Sequence, residues 1–186
     1  LMNYETLDAD MREQIFKEIF DDSQWLIGIV ENLLSVTRIE EGRMNFNMSI
    51  QLMDEVINEA LAHIRQKRNR HDIEVYCEDE LLLAKMDAKL IVQVIINLVE
   101  NAIKYTPDGT SIRIMAKKEE EAVAVSVIDN GPGIPKEIRP RVFDIFYTGE
   151  NKVADSRRSL GLGLALCKSI INAHGGEITL TDNQPQ

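Results

Sequence analysis

From about Asp10 to Glu41 the chain runs without a proline or a turn pair, and apolar residues recur alternately four and three apart. Positions 15, 19, 22, 26, 29, 33 and 36 hold Ile, Ile, Asp, Leu, Ile, Leu and Val, a heptad seam with a polar break at Asp22. Phe16, Phe20, Ile27, Val30 and Leu34 run beside that seam and widen it. So wide a stripe suits a four-helix bundle better than a two-stranded coil, the alternative being an amphipathic helix laid on its own domain. Gly42 predicts the stop, because a left-handed C-terminal position favours glycine.

Past Gly42 the period changes. Met44, Phe46 and Met48 alternate as in a short strand, and residues 52 to 68 return to helical spacing through Val56, Ile57, Ala60, Leu61 and Ile64. Residues 73 to 77 and 82 to 86 read as strands. Asp87 is placed to cap a helix that stops at Thr106-Pro107-Asp108-Gly109. Ile112, Ile114 and Ala116, then Val123, Val125 and Val127, alternate with other residues on either side of KKEEE, which predicts a hairpin. Pro135 fits the first position of a helix running to Val142, and a last helix opens at Gly161 to Gly163 and runs to about His174. The fold class expected is α+β: a two-layer α/β sandwich over residues 43–186, with a mixed sheet and helices on one face, preceded by one long helix over 1–42.

The helix before Thr106 has two unlike faces. Val92, Ile95, Ile96, Val99, Ala102 and Ile103 cover one half, while Asn97, Glu100, Asn101, Lys104 and Tyr105 form a polar stripe on the other. A solvated surface is the simplest reading of such a stripe. Asparagine is a mediocre helix former, however, and a face kept for solubility favours Glu, Lys, Gln or Arg. Carboxamides offer a neutral oxygen to a hard cation and N–H donors to phosphate, and the lysine adds positive charge. That set suits a magnesium-bound nucleotide.

Composition narrows the partners. The 186 residues are 44% apolar, ample for a core. A net charge of −10 disfavours nucleic acid and anionic membrane as general partners. Cys77 and Cys167 are too few for a disulfide framework and lack metal-ligand spacing, so they read as reduced thiols. No apolar run approaches the roughly 20 residues that cross a bilayer, no signal peptide opens the chain, and no repeat is visible.

Two glycine-rich stretches carry further chemistry. In DNGPGIP, residues 129 to 135, Gly131 and Gly133 permit positive φ and close approach to a flat ring, Asp129 can accept from an exocyclic amine, and Ile134 can pack near a base. A proline-glycine turn with a surface aspartate is the alternative. In LGLGLAL, residues 160 to 166, Gly161, Leu162 and Gly163 open a helix whose amides and dipole suit phosphate, or else form a tight packing pair. Residues 149 to 159 are polar and aperiodic, as a lid over phosphates should be, and their Lys152, Arg157 and Arg158 either neutralise a triphosphate or are solvated charge.

NLVENAIKY, DNGPGIP, VFDIFY and LGLGLAL, in that order and spacing, resemble the N box, first glycine box, F box and second glycine box of the ATP-binding domain of sensor histidine kinases. The resemblance spans nearly the whole chain, and LLSVTRIEEG at 33 to 42 is similar to the end of the second helix of that family's dimerisation and phosphoacceptor hairpin. It implies ATP and Mg2+ as cofactors, with Asn101 holding the metal, Asn97 and Lys104 contacting phosphates, and Tyr105 along the nucleoside. Glu100 matches the acidic residue that polarises the attacking histidine, and Asp129 matches the reader of the adenine amino group. Phe143 and Phe146 match the phenylalanines that anchor the start of the lid, although plain core aromatics would look the same. Gly131, Gly133, Ile134, Arg158, Gly161, Leu162 and Gly163 complete the implied ATP contacts. A response regulator, and a second copy meeting this one through helix 10–42, are the implied partners; nucleic acid is not, and membrane attachment would come only through upstream segments of a cytoplasmic kinase portion.

Some features depart from the family pattern. His63, His71 and His174 lack the acidic, basic, threonine and proline residues that follow a phosphoacceptor histidine, so the first hairpin helix is expected to be missing. Thr148 stands where arginine is usual, and Ser159-Leu160 where glycine and a small hydroxyl residue are usual. After ITLTDNQPQ the family adds one more strand, so the last sheet position is expected to be empty or borrowed. Two other classes compete with a kinase: an ATPase clamp or chaperone of the same fold, which would lack the helix ending in TRIEEG, and a nucleotide-binding scaffold without catalysis.

Overall fold

The computed structural model describes residues 8–64, 71–79, 81–148 and 160–183. Helix α1, Ala9–Glu40, is 32 residues long and starts where Asp8 accepts the amide of Met11 at 2.7 Å. It ends as Gly42 predicts. With Gly42 at φ +65°, the amides of Gly42 and Arg43 reach back to the carbonyls of Ile39 and Arg38, satisfying two orphan acceptors. Most of its apolar stripe is open: Phe16 is 69% exposed, and Ile19, Phe20, Leu26, Ile27 and Val30 are exposed too. The last turns behave differently, because Val36 is 1% exposed and lies in the same core as Leu166 and Ile170, with α1 packed on α4. The hydrophobic core therefore crosses the boundary expected at residue 42.

The next stretch corrects one expectation. Residues 44–48 are not a strand; β1 is Ser49–Leu52, paired antiparallel with β3, Leu83–Met86. The alternation of Met44, Phe46 and Met48 arises from packing and capping instead. The Phe46 ring meets His174 edge-on at 5.6 Å, and the Asn47 amide donates to Asp87 rather than to a neighbouring strand. Helix α2, Met53–Ile64, follows and buries the predicted Val56, Ile57, Ala60, Leu61 and Ile64.

The larger sheet is mixed, as expected. Strand β2, Asp72–Cys77, lies parallel to β4, Ser111–Glu119, which pairs antiparallel with β5, Ala122–Asp129. Ile73, Val75 and Cys77 thereby stand beside Ile112, Ile114 and Ala116, and the three β4 residues are fully buried. Helices α2, α3 (Ala88–Tyr105) and α4 (Gly163–Ala173) form the second layer. Among the described residues, none beyond β5 joins the sheet.

A second correction concerns residues 135–142. They form successive turns closed by amides that bond to the carbonyl three residues back, with a short 3-10 stretch at Arg139–Arg141, not the helix expected from Pro135. Pro140 explains the difference: it has no N–H to give to a carbonyl four residues back, and its ring clashes with that turn.

Helix α3 is the keystone. Ile91, Val92, Val94, Ile95 and Val99 bury their side chains against α2, α4 and the sheet, each worth roughly 1.5–3 kcal/mol. Its first turn is tied by Asp87, whose Oδ1 accepts from Leu90 at 3.4 Å and whose Oδ2 accepts from Asn47 at 2.8 Å. The Asp87 amide donates to His174 Nε2 at 3.0 Å, which leaves Nδ1 to donate to the Ile170 carbonyl at 2.8 Å. One residue thus joins the entry to β1, the start of α3 and the end of α4. Asp87→Ala is expected to lower stability by about 1–2 kcal/mol in urea denaturation, with Asp87→Asn retaining part of it; wild-type stability in the alanine variant would show that the junction is dispensable.

Candidate nucleotide-binding site

The open face of α3 carries Asn97, Glu100, Asn101 and Lys104, all half-buried, and Tyr105, which is exposed. Lys104 Nζ sits 5.6 Å from the centre of the Tyr105 ring. Asn97 is held from two sides. Its oxygen accepts from Gln93 Nε2 at 3.3 Å, and its Nδ2 makes a long bond of 3.5 Å to the carbonyl of Gly163. The stripe and the second glycine stretch therefore meet at Asn97.

That glycine stretch is shaped by close packing. Gly161 has φ +66°, and a Cβ there would fall 2.3 Å from the carbonyl oxygen of Tyr147. No other residue fits. Leu162 is buried and its carbonyl accepts from Leu166, so the amides of Gly163 and its successors open the first turn of α4 without intrahelical partners. Tyr147 and Gly161 touch across the two ends of the segment expected to be a lid. Lys152, Arg157 and Arg158 lie outside the described residues.

Beneath this end lies Cys167, wholly buried, with its thiol 3.8 Å from the carbonyl of Val94. Burial pushes the thiol up to about 12 from an ordinary 9.0, against a smaller opposing effect of Asn97.

The first glycine stretch meets the other end of α3. The Asp129 carboxylate accepts the Gly131 amide at 2.9 Å, which closes the first turn of the loop, and Asn130 Oδ1 accepts the Ser111 amide at 2.9 Å, which ties the loop to the start of β4. A Cβ on Gly131 would lie 2.4 Å from the Thr106 methyl, just past the end of α3, whereas Gly133, at φ +73°, faces open space. Thr106 donates to the Ala102 carbonyl at 2.7 Å and stands 3.1 Å from His71 Nε2. Ile134 is half-buried.

Five of the predicted residues are thus gathered along α3, and the glycine stretches reach it with Gly163 beside Asn97 and Gly131 beside Thr106. Phe143 is half-buried, but Phe146 is 58% exposed with a left-handed φ of +65°, so it is not a core aromatic. Tyr147 makes the contacts instead, through its backbone to Gly161 and its ring under Arg141 at 4.5 Å. Gln93, Thr106 and Tyr147 escaped the sequence reading. Gln93 was accessible to it, standing four residues before Asn97 on the same helical face.

Residues 86–186 match the family described as histidine kinase-, DNA gyrase B- and HSP90-like ATPase. The chain belongs to that family, as a histidine kinase catalytic domain. It is 41% identical to the sensor protein KdpD of Clostridium acetobutylicum over 178 residues, 96% of this chain and 20% of that protein. It spans about a fifth of that relative's length. The nucleotide-free catalytic domain of the histidine kinase ThkA superposes with a TM-score of 0.66 at 32% identity, covering 76% of this chain and 90% of that one. A longer ThkA chain, solved in complex with the response regulator protein TrrA, gives a TM-score of 0.71 at 27% identity, covering 94% of this chain and 48% of that one. The fold is that of an ATP-binding domain of this family preceded by a long helix.

Two predictions follow from the packing of this kinase domain. Gly161→Ala, with strained φ and a backbone clash, is expected to lose more than about 2 kcal/mol in thermal unfolding, and Gly133→Ala only about 1 kcal/mol; equal losses would refute the steric reading. Since the folded state keeps the Cys167 proton while the unfolded thiol loses it above pH 9, stability should fall as pH rises from 9 to about 12. Cys167→Ala should flatten that part of the pH–stability curve.

Proposed function

We propose that this chain binds Mg-ATP along the open face of α3 and transfers the γ-phosphoryl group to a histidine presented by a dimerisation hairpin, for relay to a response regulator. The observation that carries this is that both glycine stretches reach α3, Gly163 at Asn97 within the polar stripe and Gly131 at Thr106 just past the C-terminal end of the helix. Those two meetings are about 14 Å apart along the helix at 1.5 Å per residue, a span suited to a nucleoside triphosphate laid lengthwise. Membership of an ATP-binding family supports the same ligand.

In this reading Asp129 reads the adenine amino group, with Gly131, Gly133 and Ile134 against the base and Tyr105 along the nucleoside. Asn97 and Lys104 take the phosphates together with the amides of Gly161, Leu162 and Gly163 where the chain enters α4. Phe146 anchors the start of the lid, and Arg158 adds positive charge against the triphosphate. The donor set fits magnesium, because Asn101 presents a hard neutral oxygen within the same stripe and phosphate oxygens complete such an ion's preferred shell. When bound, the ion supplies charge neutralisation between phosphates. Glu100, half-buried one turn from Asn97 and Lys104, orients the imidazole or accepts its proton. Positioning and electrostatics carry most of phosphoryl transfer, which is what a stripe of fixed amides and one cation provides.

His71 and His174 are engaged with Thr106 and with Asp87, which supports an acceptor histidine on another helix. Within residues 1–42, α1 acts as the second helix of the dimerisation hairpin, pairing with a second copy through the exposed stripe that includes Phe16, Ile19, Phe20 and Leu26. The catalytic unit is then 43–186. Likeness to KdpD favours potassium-linked signalling, and the ThkA–TrrA complex favours a response regulator as the recipient.

Titration calorimetry with magnesium and a non-hydrolysable ATP analogue should give saturable heat below millimolar ligand; a folded protein that gives none ends this reading. Supplied with a separate phosphoacceptor hairpin and labelled ATP, the chain should produce acid-labile, base-stable phosphohistidine on the hairpin and none on itself. A chain that binds ATP but labels nothing is a scaffold. Glu100→Gln should keep ATP affinity within about twofold and slow transfer roughly a hundredfold or more; equal loss of binding and transfer would remove Glu100 from the chemistry.

A further inference from the structure

The glycine loop at 129–134 is held at one end by a residue far along the chain and at the other by Arg139, which is itself held from there. Asn183 Nδ2 donates to the carbonyl of Asp129 at 2.8 Å. At the other end the Ile134 carbonyl accepts from Arg139 Nε at 2.7 Å, and Arg139 Nη2 donates to the carboxylate of the adjacent Asp182. The two anchored carbonyls bracket Asn130 to Gly133, which include both glycines of the loop.

Such a loop needs restraint from outside. Two glycines give it backbone freedom that Pro132 between them only partly offsets, and ordering it is correspondingly costly. Its internal bond from Gly131 to Asp129 fixes the first turn only. Gly133 touches nothing within 4 Å beyond its chain neighbours. An exposed ion pair contributes little by itself, and Asp182 is exposed. Here, however, its carboxylate holds a planar guanidinium whose Nε proton points at a main-chain oxygen of the loop.

We propose that Asp182 and Asn183, acting with Arg139, form a clasp of positioning residues that keeps the 129–134 loop in the shape that receives adenine; this rests on the reading of that loop as the base site. The clasp touches no ligand and acts on affinity at the base end, leaving the phosphate end at α4 unaffected. It also makes the segment after α4, which forms no strand among the described residues, a working part of the site.

The test uses the full chain with three probes: magnesium with a non-hydrolysable ATP analogue, ADP, and inorganic tripolyphosphate. Asn183→Ala and Asp182→Ala are each expected to weaken both adenine nucleotides by about three- to tenfold, the effect of losing one hydrogen bond, with tripolyphosphate binding and the melting temperature unchanged. Asp182→Glu, which keeps the charge that steers Arg139, should recover most of the affinity. Variants that bind both nucleotides as the wild type does overturn the clasp, as do variants that lose tripolyphosphate binding and melting temperature in parallel. A wild-type chain that binds tripolyphosphate but neither adenine nucleotide overturns the base-site reading and the clasp with it.

Discussion

Helix α3 must satisfy two environments along its whole length. One half is dry, packed against α2, α4 and the sheet, and the other keeps amides, a carboxylate and an ammonium accessible. The dry half leaves little freedom in rotation, since turning the helix by one residue would bury a polar group and expose an aliphatic one. Asp87 adds the axial restraint by holding the first turn to the chain entering β1 and to His174. The accessible half is therefore presented in a fixed orientation, as preorganised binding requires.

The two glycine stretches show two ways of using the same residue. Gly161 is demanded by backbone, because the carbonyl and nitrogen of Tyr147 occupy the space of any side chain. Gly131 is demanded by the Thr106 methyl, which packs the loop onto the end of α3. Gly133 and Gly175 face open space and are required by positive φ alone. Gly175 closes α4 as Gly42 closes α1: the Gly176 amide returns to the carbonyl of Ile171, and the Gly175 amide to Asn172.

Features governed by neighbours in sequence were legible from the sequence alone. The end of α1 at Gly42, the Asp87 cap, the hairpin around KKEEE and the faces of α3 all follow from local rules about φ, capping and periodicity. Alternation misled at Met44 to Met48, where a side-chain cap and an aromatic contact with His174 produce the same pattern as a ladder. Pro135 suggested a helix that Pro140, five residues on, does not allow. The bond between Asp87 and His174 spans 87 residues, and that between Asn183 and Asp129 spans 54. No local period encodes such pairings. Of the candidate site, the α3 stripe and both glycine stretches could be read directly, and Gln93 lay within reach of the same local rule, while the other residues that hold them, Thr106, Tyr147 and Arg139, emerge only once the chain is folded.

The contrast between a locked helix and loops rich in glycine has a consequence for amide hydrogen exchange. Amides in α3 sit inside the best-packed layer and open only with large-scale unfolding, whereas the Gly131–Gly133 turn lacks comparable cover and exchanges through local opening. The scaffold is thus a silent background. Against it, the footprint of any bound molecule would appear as new protection confined to the loops, separable by rate from the stability of the fold that carries them.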